Sequence, residues 1–169
     1  MRAVLLNPPG GTGENMVVTD VADPAPGPCD AIVAVEYAGC NFADTMMRRG
    51  IYPHPKGYPL VAGLELAGRV VAVGKEVAAV KPGDRVAGFS EDAGAFAQLC
   101  SIPAERLTVL PDAISFDKAA AFFVQALTAW HLMHTVSKTG KGDCVLVHAI
   151  GGGVGLYLIG NTLGALGTS

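Results

Sequence analysis

The sequence predicts a β-rich antiparallel barrel or sandwich followed by the beginning of an α/β domain. Short apolar segments separated by Gly- and Pro-containing turns fill the first two thirds of the chain, as in closely spaced antiparallel strands. A helical pattern of apolar residues then runs from Ser115 to Val136. After it, Cys144 to Gly160 reads as a strand, a glycine cluster and an apolar helix, which is the order that a dinucleotide phosphate site requires.

Alternating apolar residues bounded by turn residues define the strands of the β-rich part. The Pro-Gly turn in Lys81 to Val86 leads into one of them, and the proline-rich segment Ile51 to Gly63 is predicted to be a loop. The predicted strands are Arg2 to Leu6, Met16 to Val21, Asp30 to Cys40, Glu65 to Val73, a strand ending at Phe89, Ala95 to Ile102 and Arg106 to Leu110.

A short helix is predicted from Asn41 to Arg49. Asn41 is a favourable N-cap residue, and Asp44 stands three residues later, where the acid of a capping box belongs. Gly50 follows at the position where glycine commonly closes a helix.

The composition excludes several classes of function. The formal net charge is −3 and no run of Lys or Arg is present, so neither nucleic acid nor an anionic membrane surface is an expected partner.

The four cysteines form no C-x-x-C pair and are expected to be reduced thiols packed as small hydrophobes, in a cytoplasmic protein. The uncharged run after Cys144 is long enough to cross a bilayer, but His148 and the glycine cluster argue against one membrane-spanning helix.

Six segments occur together in an order that resembles the medium-chain dehydrogenase/reductase superfamily, in its zinc-independent quinone oxidoreductase (zeta-crystallin-like) branch. They are Ala38 to Pro53, Ala62 to Gly74, Lys81 to Gly88, Gly94 to Gln98, Ala119 to Met133 and Val145 to Gly155. The resemblance implies a GroES-like β-barrel over 1–113. It also implies a linker helix and the first strand-turn-helix of an incomplete Rossmann-type NAD(P)-binding domain over 114–169. Family members are about twice this length, so the chain resembles the N-terminal half of a two-domain enzyme.

The resemblance also implies that no zinc is bound. The alcohol dehydrogenase branch binds a catalytic zinc through a Cys and a His, and the corresponding residues here are Asn41 and Leu64. No Cys lies in Gly88 to Gln98, where that branch has its structural zinc lobe. His131 and His134 could share a metal, but no third ligand has suitable spacing, and ordinary helix residues are the favoured interpretation.

The glycine cluster matches the A-x-x-G-x-x-G form used by the quinone reductase branch, with Ala149, Gly152 and Gly155 at the fixed positions. Glycines here let backbone N–H groups approach a pyrophosphate and let the helix pack closely on the strand. Gly153 and Val154 complete the expected cofactor loop. The alternative is a glycine-rich turn without a ligand. By resemblance the cofactor is NADPH, and NADH is not excluded because the residue that selects the nucleotide lies beyond Ser169.

The implied reaction is hydride transfer from the nicotinamide to a quinone or enone. By resemblance, Asn41 and Asp44 line the nicotinamide end of the cleft, with Asn41 also binding the cofactor. Tyr52 flanks the substrate pocket and Thr128 contacts the nicotinamide amide. Each residue has a structural alternative: the first two can cap their helix, Tyr52 can be a packed loop aromatic, and the Thr128 hydroxyl can bond its own helix backbone.

Two function classes therefore compete. One is an NADPH-dependent oxidoreductase, present here as a fragment that is expected to be inactive alone. The resemblance implies that the full-length form is a homodimer. The other is a non-catalytic binding or interaction homologue on the same fold. A co-chaperonin is disfavoured, because it has no use for the run Ala119 to Phe123 or for the glycine cluster.

Overall fold

The computed structural model describes residues 1–9, 14–52 and 54–166. The chain divides into two compact units, Met1–Ala121 and Phe122–Ser169. Part of the predicted turn between the first two strands, residues 10–13, lies outside the described residues, as does Pro53 of the predicted loop.

Two antiparallel sheets build the first unit. The smaller has the order β2 (Met16–Asp20), β1 (Arg2–Leu6), β4 (Leu60–Val61). The larger has the order β7 (Leu99–Pro103), β3 (Asp30–Gly39), β5 (Glu65–Val73), β6 (Arg85–Phe89), β8 (Leu107–Val109). The predicted β-rich class is confirmed, and β4 is a strand that the sequence analysis assigned to a loop.

The core of the first unit lies on the larger sheet. Burial alternates along β7, whereas three or four consecutive residues are buried in β3, β5 and β6. Because successive side chains of a strand point to opposite faces, these three strands are covered on both faces over those residues. The most deeply buried apolar residues of this core are Ala31, Val33, Leu66, Val70, Val86, Ala95 and Ile102. The predicted strand Ala95 to Ile102 begins later than expected, at Leu99, and Ala97 makes only an isolated bridge to Ala3.

Two short helices accompany this sheet. Helix α1 (Phe42–Arg48) follows β3, and Gly50, with φ +71°, ends it in the left-handed conformation as predicted. Helix α2 (Phe116–Ala120) is tied to the sheet by Phe116, whose ring lies 4.6 Å from the Arg85 guanidinium. The Arg85 guanidinium also donates to the Pro111 carbonyl at 3.0 Å, which anchors the chain that enters α2.

The second unit contains α3 (Phe123–Trp130), which continues as a π-helical stretch over His131–Val136, and α4 (Gly153–Leu166). The prediction of one helix from Ser115 to Val136 is wrong, because the helix is interrupted between Ala120 and Phe123. The Phe122 ring there packs edge-on against Tyr157 of α4 at 5.9 Å. A tertiary contact of this kind overrides the local helix propensity and is invisible in a periodicity pattern.

The predicted strand from Cys144 to His148 does not form. Residues 143–147 have no regular structure, no described strand pairs with them, and Leu146 is 81% exposed. A β-strand needs a neighbour to bond its backbone groups, so an apolar sequence alone does not make one.

None of the described helices has both the length and the apolar character needed to cross a bilayer. All four cysteines are free thiols. Only Cys100 is buried, and this burial raises its pKa to about 11, so the expectation that the cysteines pack as small hydrophobes holds for that one residue.

Candidate functional site

The candidate site of the first unit lies where β3 ends and β5 begins. The antiparallel register places Gly39 of β3 opposite Glu65 of β5. Asn41 follows two residues later with extended backbone angles and N-caps α1. The end of one strand, the start of its neighbour and the N-terminus of a helix therefore meet at one point.

Two acids hold Asn41 at this point. Asn41 and Asp44 form the predicted capping box, in which the Asn41 backbone N–H donates to Asp44 Oδ2 at 2.7 Å. The Asn41 side-chain amide donates through Nδ2 to Glu65 Oε1 at 2.8 Å. The exposed fractions are 8% for Asn41, 7% for Asp44 and 0% for Glu65, so all three polar side chains are buried.

The carboxyl of Asp44 has a raised pKa. Burial raises the pKa of its carboxyl above the ordinary 3.8, the Asn41 N–H lowers it, and the negative charge of Glu65 raises it further. Its second oxygen, Oδ1, is buried without a hydrogen-bond partner among the described residues. A buried acceptor left unpaired is uncommon in folded proteins and marks a strained or functional position.

The raised pKa of Asp44 predicts how the free energy of unfolding changes with pH. Because the folded state holds this proton more tightly than the unfolded state, ionising Asp44 opposes folding, and the penalty is relieved as the pH falls through the folded-state pKa. Relative to Asp44→Asn, whose side chain does not titrate, we expect the wild-type chain to gain stability between pH 7 and pH 4. Urea unfolding across this range measures the difference, and an Asp44 carboxyl that titrates below 3.8 by NMR contradicts it.

Tyr52 lies at the opposite end of α1. Its backbone N–H donates to the Met46 carbonyl at 3.3 Å, and its side chain is 60% exposed. A helix of this length, α1 being 7 residues, separates it from Asn41 by about 10 Å. The structure thus brings Asn41 and Asp44 together and places Tyr52 apart from them, with a ring that is accessible from solvent.

The two positions that resemble zinc-ligand positions carry different chemistry. Asn41 offers an amide already bonded to Glu65, and Leu64 is a hydrocarbon side chain that is 7% exposed. Within the part of the chain that the structure describes, no three His, Cys, Asp or Glu side chains cluster as a metal site would need.

The glycine cluster of the second unit forms a tight turn before α4. Ala149 has a φ of +53°, and the Gly152 N–H donates back to the Ala149 carbonyl at 2.9 Å. A Cβ at Gly155 would lie 2.6 Å from the Ile150 carbonyl oxygen, so only glycine lets the helix lie this close to the turn. Gly151 is open on all sides.

Two residues of α3 concern the candidate cofactor site: Thr128, which is predicted to contact the nicotinamide, and Gln125, which lies beside the turn. The Thr128 hydroxyl donates to the Val124 carbonyl one helical turn earlier, which is the structural alternative expected for it, while the oxygen keeps lone pairs that can accept. A Cβ at Gly153 would overlap the Gln125 carboxamide, so Gln125 lies directly against the first residue of α4.

The sequence analysis did not single out Glu65 as a site residue. Two signals were available: Glu65 is an acid at the start of a mostly apolar strand, and it directly follows Leu64, which occupies a zinc-ligand position of the alcohol dehydrogenase branch. Such a position is compatible with an exposed strand end, and only the register with Gly39 reveals that this carboxylate is buried against Asn41.

Comparison with known proteins finds similarity to quinone oxidoreductases and to VAT-1 homologues. Residues 27–112 match the alcohol dehydrogenase GroES-like domain. A quinone oxidoreductase of Pseudomonas aeruginosa is 41% identical over 147 residues, which are 87% of this chain and 45% of that protein. The human synaptic vesicle membrane protein VAT-1 homolog is 36% identical over 138 residues, 82% of this chain and 35% of that protein.

Comparison with solved structures also finds similarity to a quinone oxidoreductase. The crystal structure of Escherichia coli quinone oxidoreductase complexed with NADPH superimposes with a TM-score of 0.91 at 33% identity. The match covers 98% of this chain and 50% of that one. The chain spans half or less of the length of these relatives.

Proposed function

The chain belongs to the alcohol dehydrogenase GroES-like domain family, in the quinone oxidoreductase branch of the medium-chain dehydrogenase/reductase superfamily, and we propose that it is the N-terminal part of an NADPH-dependent oxidoreductase. The proposed reaction is zinc-independent hydride transfer to the conjugated carbonyl of a quinone or enone. The proposal includes a homodimeric intact enzyme and a cytoplasmic location, both of which rest on the resemblance.

The observation that carries this proposal is the arrangement around Asn41. Where a zinc-dependent relative would present a thiolate, this chain presents a buried amide whose NH2 group is bonded to Glu65. An amide and the neighbouring Leu64 are not zinc ligands, so the carbonyl of the substrate would be oriented and polarised by hydrogen bonds and not by that metal.

The residues of the glycine turn fit a nicotinamide dinucleotide. The first N–H groups of α4 have no acceptor within the helix, and the positive end of the helix dipole faces the same point. The backbone of Gly152, Gly153 and Val154 would hold the pyrophosphate, while Ala149 and Gly155 form the close contact that shapes the turn. When bound, the nicotinamide supplies the hydride.

The remaining roles follow from the chemistry of each side chain. Asn41 and Asp44 would border the nicotinamide, and the buried Asp44 Oδ1 atom is an acceptor that the described residues leave unsatisfied. Thr128 would accept a hydrogen bond from the nicotinamide amide through the oxygen whose proton is given to Val124. The exposed Tyr52 ring would pack against the substrate.

The 169-residue chain alone is expected to bind NADPH weakly. The segment that leads into the glycine turn has no strand partner among the described residues, so nothing fixes the turn for the pyrophosphate. Isothermal titration should show no saturation at low micromolar NADPH, and a Kd in that range contradicts the prediction. A longer form that carries the remaining strands should bind NADPH and oxidise it when a quinone is added.

The resemblance to VAT-1 homologues favours a second candidate, a non-catalytic binding protein on the same fold. Quinone-dependent NADPH oxidation separates the two. Turnover by the longer form supports the oxidoreductase, whereas NADPH binding without turnover of any quinone or enone supports the binding protein.

A further inference from the structure

Glu65 has no role in the function proposed so far, although it is the most deeply buried charged residue among those described, with 0% of its surface exposed. Its Oε1 atom accepts a hydrogen bond from the candidate site residue Asn41, 24 positions away in sequence. We infer that Glu65 is a positioning residue, which fixes the orientation of the Asn41 carboxamide in the site. This inference rests on the proposed function for its catalytic consequence, but the positioning itself is a property of the fold.

Glu65 fits at this point because the residue opposite it, Gly39, has no side chain. A Cβ at Gly39, its partner across the β3–β5 pair, would overlap Glu65 Oε1 and lie 2.6 Å from Glu65 Cγ. Glycine at position 39 is what allows the carboxylate to lie beside its own strand pair and reach Asn41. A glutamate with no role beyond the start of β5 could extend its carboxylate into solvent, and it would not require a glycine at position 39.

The hydrogen-bonding chemistry of the Glu65 carboxylate and the Asn41 carboxamide determines which end of the amide faces Glu65. An ionised carboxylate has acceptors only, whereas a carboxamide has a donor end and an acceptor end of nearly the same shape. Glu65 therefore admits the NH2 end of Asn41 and rejects its oxygen.

A second acid completes the restraint. Asp44 Oδ2 holds the Asn41 backbone N–H at 2.7 Å while Glu65 holds the side-chain Nδ2 at 2.8 Å. The backbone and the side chain of one residue are thus held by acids on two different elements, α1 and β5. A glutamine at position 65 keeps the size of the side chain but offers a donor as well as an acceptor, so either end of the Asn41 amide could face it.

The direct test is NMR on the 169-residue chain. In the wild-type chain we expect a scalar coupling across the hydrogen bond between Asn41 Nδ2 and the Glu65 carboxyl carbon, together with slow exchange of that amide proton. Glu65→Gln should shift the Asn41 side-chain resonances and speed this exchange. Glu36→Gln, the same chemical change at an exposed residue of β3, should leave both unchanged.

Two results overturn the positioning role. One is the absence of the coupling in the folded wild-type chain, which needs no variant and so stays informative if Glu65→Gln does not fold. The other is a folded Glu65→Gln variant whose Asn41 side-chain resonances match those of the wild type, because a merely structural Glu65 would leave the amide orientation unaffected.

The catalytic consequence is tested separately in the longer form of the protein. Positional errors at a reacting centre are costly, so we expect Glu65→Gln to lower kcat/KM for quinone-dependent NADPH oxidation by roughly tenfold to a hundredfold, with partial recovery in Glu65→Asp. Glu36→Gln should match the wild type. If the wild-type longer form binds NADPH without turnover, the proposed reaction is wrong, while the NMR result on the positioning of Asn41 still stands. If Glu65→Gln is as active as the wild type, the proposed reaction stands, and the inference that Glu65 matters for catalysis is overturned.

Discussion

Replacing Gly39 by alanine is expected to destabilise the first unit by about 3 kcal/mol, which is within the range for overpacking a tight site. The new Cβ would overlap both the Ala120 carbonyl oxygen and Glu65 Oε1. The carbonyl belongs to the last residue of α2, and the contact of Phe116 with Arg85 anchors that helix, so the carbonyl cannot move away without disturbing this contact. Urea unfolding followed by circular dichroism measures the change in the free energy of unfolding.

Gly57→Ala is the matched control for this change. Gly57 lies in the same unit and a Cβ there would meet nothing within 4 Å, but its φ is +70°. Alanine at that position pays only for the left-handed backbone, about 1 kcal/mol. If Gly39→Ala costs no more than Gly57→Ala, then the close approach of Glu65 and α2 to Gly39 is not a constraint on this fold.

The sequence was sufficient for the parts of the fold that local chemistry determines. Alternating apolar residues predicted the long strands, including Glu65–Val73 with its observed bounds. The capping box of Asn41 and Asp44 and the closure of α1 by Gly50 followed from residue type and spacing alone. The order of several motifs predicted the family, which the domain match and the relatives confirm.

What the sequence could not predict depends on partners that are distant along the chain. The apolar segment Cys144 to His148 has the composition of a strand, yet a strand exists only with a neighbour. The helix is interrupted next to Phe122, whose ring contacts Tyr157 of α4, and the burial of Glu65 follows from its pairing with Gly39 of β3. In each case the pattern within the segment was correct and the missing information was a contact.

Replacing Asn41 by aspartate tests the electrostatics of the site with almost no change in shape. The substitution places a third carboxyl beside Asp44 and Glu65 and removes the amide that donates to Glu65. Breaking a buried polar pair and burying an uncompensated charge usually costs about 3–5 kcal/mol. Aspartate caps a helix no better than asparagine does, but its negative charge at the α1 N-terminus offsets up to about 1 kcal/mol of this loss. We therefore expect a net loss of about 3 kcal/mol at neutral pH.

Gln98→Glu is the matched control for charge. Gln98 is exposed, and its Oε1 atom accepts from the Arg2 N–H at 2.7 Å, a bond that glutamate can also accept. The same amide-to-acid change at the surface should therefore alter the free energy of unfolding by less than about 0.5 kcal/mol. A loss at position 41 no larger than this would mean that solvent reaches the site and screens its charges.

The pH dependence and a compensating change identify the cause of the loss. Among two other buried acids, the new carboxyl has a higher pKa in the folded than in the unfolded state. The folded state then binds the extra proton, so the stability of Asn41→Asp should recover as the pH falls from 7 toward 4 and be lost again as it rises.

Combining Asn41→Asp with Glu65→Gln restores one acid and one amide with their positions exchanged. That double variant should be more stable at pH 7 than Asn41→Asp alone, because the position-65 amide now donates to the position-41 carboxylate, and purely additive losses would show that the two side chains do not interact.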